Sequence, residues 1–237
     1  MTPLRTDLCD LLGIDYPVLQ SGMGSVAGPD LVAEVSRAGA LGILGGVNIP
    51  VETLRERVRK VRGLTDRPFG LNLWLHTELR PPADVTRIPE ATVRAVQGTL
   101  NTFRRELDIP TTEAPPAPVP DIVDAAFEMM LAERVPVWSI GLGNPAPEMV
   151  AECRKRGVKI VAMVATVEDA RAVEAAGVDA IVAQGGEAGG HRSTWVKPSS
   201  RDDAAVGAMA LVPQIVDAVR VPVIASGGIA DGRGLVA

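Results

Sequence analysis

The stretch Ala183–His191, AQGGEAGGH, packs four glycines around a carboxamide and a carboxylate and ends on one of only two histidines in 237 residues. A glycine-rich backbone can approach a flat or phosphorylated ligand closely and can take φ > 0 without steric cost. Histidine is the side-chain type most often used as a general base. Alone, the run reads equally as a surface loop that carries a histidine, so its meaning depends on what converges with it. Ser226-Gly227-Gly228 ends another apolar run, and ADGRG at Ala230–Gly234 opens the segment after it. Glycines between a strand and a helix turn backbone N–H groups toward an anion, which points to phosphate; the competing reading is a tight turn that needs glycine for geometry.

Asn72 lies inside an apolar run, and a carboxamide there must find hydrogen-bond partners. Gln20 and Gln184 repeat the pattern at the ends of two other runs. Three uncharged groups that both donate and accept would suit a ring carrying donors and acceptors. His76, four residues after Asn72, reads as a loop residue. Trp74 and Trp195 could line a pocket for a planar ligand, although tryptophan is more often a packing residue. Glu187 reads as an anchor for a loop backbone or for the imidazole, with a solvated acid as the alternative. Cys9 and Cys153 are far apart and have no histidine nearby, so they indicate neither a disulfide nor a zinc site, and no residue is assigned to a metal.

Seven apolar runs of strand length would position these groups: Pro17–Gln20, Leu41–Gly46, Phe69–Trp74, Val135–Ile140, Lys159–Val164, Ala180–Gln184 and Val221–Ser226. Most are continuous, as expected of parallel strands buried on both faces. Helix signals lie between them. Pro29 opens and Gly39 closes one segment, Gly157 and Gly177 stop the helices Pro147–Arg156 and Val167–Ala176, and Thr166 precedes Asp169 at capping distance. Such β-α alternation leaves an open doubly wound sheet or a closed barrel. The first strand is followed by SGMGSVAGPD, without GxGxxG spacing, and polar or glycine-rich residues follow several strands, which is the habit of the barrel. The expected fold is therefore α/β, a TIM-like (β/α)8 barrel. Its seven strands leave it truncated after strand 7. A helical and proline-rich insertion is expected over residues 76–134, carrying a helix at Glu90–Leu107, the link Pro110–Pro120 and a second helix at Asp121–Arg134.

The net charge of −5, without blocks of like charge, makes nucleic acid and anionic membrane poor partners. No run approaches membrane-spanning length, and the N-terminus lacks the apolar core of a signal peptide. The reading is a soluble cytoplasmic protein with a small-molecule substrate.

The segments PVLQSGMG at Pro17–Gly24, RPFGLNLWL at Arg67–Leu75, DAIVAQGGEAGGHRS at Asp179–Ser193 and VPVIASGGIADGRGLVA at Val221–Ala237 resemble the FMN-dependent nitronate monooxygenases, formerly 2-nitropropane dioxygenases, in family order. The resemblance implies a flavin-binding barrel with FMN across its mouth. It implies Gly22, Met23 and Gly24 near the isoalloxazine edge, Asn72 and Gln184 on the flavin ring or ribityl chain, and Gly189, Gly227 and Gly228 around the phosphate. His191 would be catalytic base or substrate-orienting group in oxidation of alkyl nitronates, or of nitroalkanes, by dioxygen. The same signature also resembles FMN-dependent enoyl-acyl-carrier-protein reductases and NAD(P)H:quinone reductases. A third alternative is a non-catalytic fragment unable to retain FMN, because the family pattern continues into an eighth strand whose glycine-rich turn completes the phosphate site.

Overall fold

A computed structural model describes residues 4–75, 87–114, 121–195 and 205–236. Seven strands form one parallel sheet in sequential order, β1 (Leu19–Gln20), β2 (Leu41–Gly45), β3 (Phe69–Leu73), β4 (Val137–Ile140), β5 (Lys159–Val164), β6 (Ala180–Gln184) and β7 (Val223–Ser226). Each falls within a run read from the sequence. The helices are α1 (Asp7–Leu12), α2 (Pro29–Arg37), α3 (Val51–Leu64), α4 (Glu90–Glu106), α5 (Val123–Ala132), α6 (Pro147–Arg156), α7 (Val167–Ala176), α8 (Ala208–Ala218) and α9 (Gly232–Val236). The stop signals act as expected: Gly157 and Gly177 are left-handed C-caps, and the Thr166 hydroxyl accepts the N–H of Asp169 to cap α7.

Two apolar layers explain why the strands are continuous runs. The outer layer takes Trp138 and Ile140 of β4, Ile160, Ala162 and Val164 of β5, and Ile181 and Ala183 of β6 against helical residues such as Val58, Phe127, Val150, Val173 and Ile215. The alternate residues, Val137, Val161 and Ala180, join Leu41 and Ile43 of β2 and the α1 residues Leu8, Cys9 and Leu12 in a separate inner cluster. In a flat sheet β2 and β6 would stand about 19 Å apart, at the usual spacing of about 4.8 Å per strand. Their meeting in one cluster means that the sheet is curled with α1 inside its lower end. This is the architecture of a TIM-type (β/α) barrel, of which the described residues supply seven strands.

The chain divides into two compact units, residues 1–76 with 122–237, and residues 77–121. The first holds all seven strands. It also holds α5, read from the sequence as part of the insertion, which packs on α3 and β3. In the second, buried Asn101 of α4 receives the chain that follows the helix: its Nδ2 donates to Thr112 O (2.9 Å) and Glu113 Oε1 (3.1 Å), and its Oδ1 accepts from Thr112 N (3.2 Å). Among the described residues no helix is long and apolar enough to cross a membrane. His76 and residues 115–120 of the proline-rich link lie outside the described residues.

Three arginines of α3 hold the end of α5. Arg55 and Arg59 donate to Glu133 Oε1 at 3.1 and 2.8 Å, and Arg62 donates to the carbonyls of Glu133 and Arg134, both at 2.6 Å. The Arg59 hydrogen bond, opposed by burial and aided by Arg55, holds the Glu133 carboxyl below the usual range. A depressed folded-state pKa adds stability that is present above the unfolded value near ~4.3 and is lost as pH falls through the folded value. Urea unfolding of Glu133→Gln should therefore show a loss on the order of 1–2 kcal/mol at pH 7. That deficit should shrink between about pH 5 and pH 3.

Candidate functional site

The curled sheet turns one set of alternate residues inward, and near the C-terminal strand ends that set changes from apolar to polar. Asn72 continues the inner face of β3, between Leu71 and Leu73 of the outer layer. Ser139 lies two residues after Val137, Met163 two after Val161, and Gln184 four after Ala180. The parallel register sets Asn72 opposite Ser139 and Gln184 opposite Ser226. Above this ring opens a cavity of about 740 Å³. Gly22, Met23 and Gly24 line it from the loop after β1, Asn72 from β3, and Gln184, Gly189 and His191 from β6 and its loop. Gly227 and Gly228, after β7, complete the set. All nine site residues named from the sequence thus border one cavity.

Asn72 is 3% exposed, and its Nδ2 donates to Ser139 Oγ at 3.0 Å and Ser139 O at 3.3 Å. Its Oδ1 accepts no hydrogen bond among the described residues, and it lies toward Gly141, where a Cβ would come within 3.3 Å of it. An acceptor left open at a cavity wall is a binding group for an N–H or O–H donor. Gly22 is required by this arrangement: a Cβ on it would stand 2.5 Å from Asn72 Cβ. On the opposite side, the N–H groups of Gly189, Gly227 and Gly228 have no hydrogen-bond acceptor among the described residues.

The other carboxamides behave differently from one another. Gln184 lines the cavity but spends its side chain on its own loop, donating to His191 O (3.0 Å) and accepting from Ser193 N (2.7 Å). Gln20, expected to converge on the mouth, does not line it. Its carboxamide pairs with the backbone of Ile43, Nε2 to the carbonyl at 3.2 Å and N–H to Oε1 at 3.4 Å, extending the ladder of the very short β1. Glu187 anchors a loop backbone: Oε2 accepts the N–H of Ala208 at 2.8 Å, at the start of α8. Its own N–H, then that of Ala208, and the charge of Arg192 hold its carboxyl below the usual range.

The His191 imidazole is exposed at the cavity, 4.6 Å from the Trp74 ring and tilted by 60°. Its ring nitrogens make no hydrogen bond among the described residues. Trp74 can lie there because its neighbour is Gly141, whose Cβ would fall 2.5 Å from Trp74 Cδ1. Of the described residues that line the cavity, only His191 and Glu187 are ionisable, and Glu187 is engaged with α8. Cys153 is fully buried and burial, with Asp179 and Glu152 nearby, pushes its thiol up to about 12, so it offers no nucleophile.

The family model described as nitronate monooxygenase matches residues 5–237. The chain belongs to the nitronate monooxygenase family. A probable nitronate monooxygenase of Staphylococcus saprophyticus is 36% identical over 234 residues, which are 99% of this chain and 64% of that protein. One from Staphylococcus haemolyticus is 35% identical over 98% of this chain and 63% of its own. Among solved structures, nitroalkane oxidase from Streptomyces ansochromogenes is 33% identical with a TM-score of 0.78, over 98% of this chain and 64% of the other. FabK from Thermotoga maritima is 33% identical with a TM-score of 0.70, over 98% and 57%. The chain spans just under two thirds of the length of these curated relatives.

The close approach at Gly22 gives a direct check of this geometry. Gly22→Ala should displace Asn72 and lower stability by about 1–3 kcal/mol, as overpacking a tight contact does. The measurement is chemical unfolding of the variant beside Gly24→Ala, a site where a Cβ meets no atom within 4 Å but φ is +49°. The two destabilisations should differ in origin: only Gly22→Ala should be relieved by Asn72→Gly, which removes the Cβ it meets, in a double mutant.

Proposed function

We propose that this cavity binds FMN and that the protein oxidises alkyl nitronates, and nitroalkanes after removal of their α-proton, with dioxygen as final electron acceptor. The observation that carries the reading is the pairing, around one cavity, of an imidazole with acceptor and donor groups that have no hydrogen-bond partner among the described residues. Its volume falls within the range of roughly 300–1,000 Å³ typical of small-molecule sites. The residues fit the cofactor chemically. Asn72 Oδ1 offers the acceptor that a ring N–H requires, and the open N–H groups of Gly189, Gly227 and Gly228 suit a phosphate. Gly22, Met23 and Gly24 supply backbone that can approach a planar ring, with Gln184 bracing the loop beside it. When bound, FMN would supply the reversible electron acceptor between organic substrate and dioxygen.

The chain's own part is orientation and proton handling. For a neutral nitroalkane, the C–H bond next to the nitro group breaks and its proton passes to an imidazole nitrogen of His191. For a nitronate, already deprotonated, protonated His191 donates a hydrogen bond to a nitro oxygen and fixes the carbon. Trp74 supports the ring from one side and excludes water there. The reaction is small-molecule chemistry and needs neither nucleic acid nor membrane, in keeping with a cytoplasmic setting.

Purified protein should be yellow and release FMN on denaturation, and Asn72→Ala should weaken FMN binding by about tenfold, the worth of one hydrogen bond of ~1.4 kcal/mol. His191→Asn should keep the colour and lose about 10²-fold or more in kcat on neutral nitroalkane, with a smaller loss on the nitronate. Unchanged turnover of both substrates would remove His191 from the chemistry. Reduction of a quinone by NADH, without nitronate oxidation, would move the assignment to the reductase reading, and a colourless protein would support the non-catalytic one.

A further inference from the structure

His191 follows Gly189-Gly190, a pair that gives the backbone great freedom, yet the residues beside it are held by an unusual density of side-chain hydrogen bonds. Arg192 donates to three carbonyls at the end of β6, those of Gln184 (3.3 Å), Gly185 (2.7 Å) and Gly186 (3.1 Å). Gln184 donates to the His191 carbonyl and accepts from the Ser193 N–H. Ser193 is 0% exposed, and its hydroxyl reaches the Gly141 carbonyl after β4 and, at 2.6 Å, the Met163 carbonyl of β5. The single hydroxyl proton is shared between the two carbonyls, so the contact holds Ser193 at the ends of both strands.

We propose that Ser193 is a positioning residue for His191. Gly141 is the fixture through which it acts. The Trp74 ring lies against the Cα of Gly141, the Ser193 hydroxyl lies on its carbonyl, and His191 meets Trp74 two residues away from that anchor. Ser193 thereby ties the loop after β6 to the ends of β4 and β5, and sets where the imidazole stands relative to the indole. Gln184 and Arg192 close the same loop onto β6. With the backbone held on both sides, the His191 side chain is the part of the loop left free to face the cavity. Ser193 touches no ligand in this scheme. Its catalytic consequence rests on the role proposed for His191, whereas its effect on ring position does not.

The test is the imidazole itself. With two histidines in the chain, ¹³C-histidine spectra contain two ring systems, and His191→Asn identifies the one that matters. In the wild type the His191 ring protons should be displaced by the Trp74 ring current, and Trp74→Leu should abolish the displacement. Ser193→Ala should move them toward the Trp74→Leu value, and kcat on neutral nitroalkane should fall by about tenfold or more, with KM within about twofold, as expected of a misplaced catalytic group. Ser193→Cys keeps the side chain near its original size and weakens the donor, so it should shift the same signals in the same direction by less, and it serves if the alanine variant does not fold. Folded Ser193 variants with His191 signals identical to wild type would overturn the proposal, even if their melting temperature fell. A wild type that ignores nitronates would instead overturn the functional reading and leave the ring-current result standing.

Discussion

The site depends on a constraint set well below it, the curling of a sequentially ordered parallel sheet around an apolar plug. Leu8, Cys9 and Leu12 of α1 fill the lower end against Leu41, Val137, Val161 and Ala180, so the inner face of the sheet is spent on packing there. Side chains alternate strictly along a strand, which obliges the next inward positions to share whatever space lies above. In this chain those positions are Asn72, Ser139, Met163, Gln184 and Ser226. A one-residue slip of β3 would bury Leu71 or Leu73 in the cavity and turn Asn72 under the helices, at the cost of an unsatisfied carboxamide. The packing of the lower layer therefore fixes the chemistry of the upper one.

Among the described residues, that arrangement gives the cavity wall two ionisable side chains and many directional groups. Asn72 is half used, by Ser139, and half open. Gln184 is turned onto its own loop, and Glu187 onto α8. What the described residues leave for a ligand is an acceptor on one side, backbone N–H groups on the other and one imidazole at the mouth. Such a site selects by hydrogen-bond geometry rather than by net charge, and suits a cofactor whose ring carries donors and acceptors and whose tail carries an anion.

Much of this was legible in the sequence because it is local. The seven apolar runs, the glycine stops at Gly157 and Gly177 and the Thr166 cap each depend on a few adjacent residues, and each has its counterpart in the structure. The glycine-rich loops were legible for the same reason, and they border the cavity because strand ends must. What could not be read is contact-dependent. A carboxamide ending a strand looks the same whether it faces a ligand or the next strand; Gln20 turned to Ile43, since β1 is only two residues long and its side chain supplies the missing ladder. Helix α3, between β2 and β3, has a helical Leu54, Val58 and Val61 spacing, but its arginines find Glu133 more than seventy residues away, a contact that no local pattern shows. Ser193 carried no signal at all, because its partners Gly141 and Met163 lie 52 and 30 residues distant.

Residues 185–193, the glycine-rich stretch after β6, are held as a fixed wall by the side chains of Gln184, Arg192 and Ser193. The hydrogen bond from the Ser193 backbone N–H to the Gln184 side-chain Oε1, 2.7 Å long and buried, reports on this directly. Native-state amide hydrogen exchange at Ser193 should be protected to a degree comparable with the strand amides of β5 and β6, since opening it requires releasing Arg192 and the Ser193 hydroxyl together. Exchange at the rate of an exposed loop, while β5 and β6 stay protected, would contradict the account.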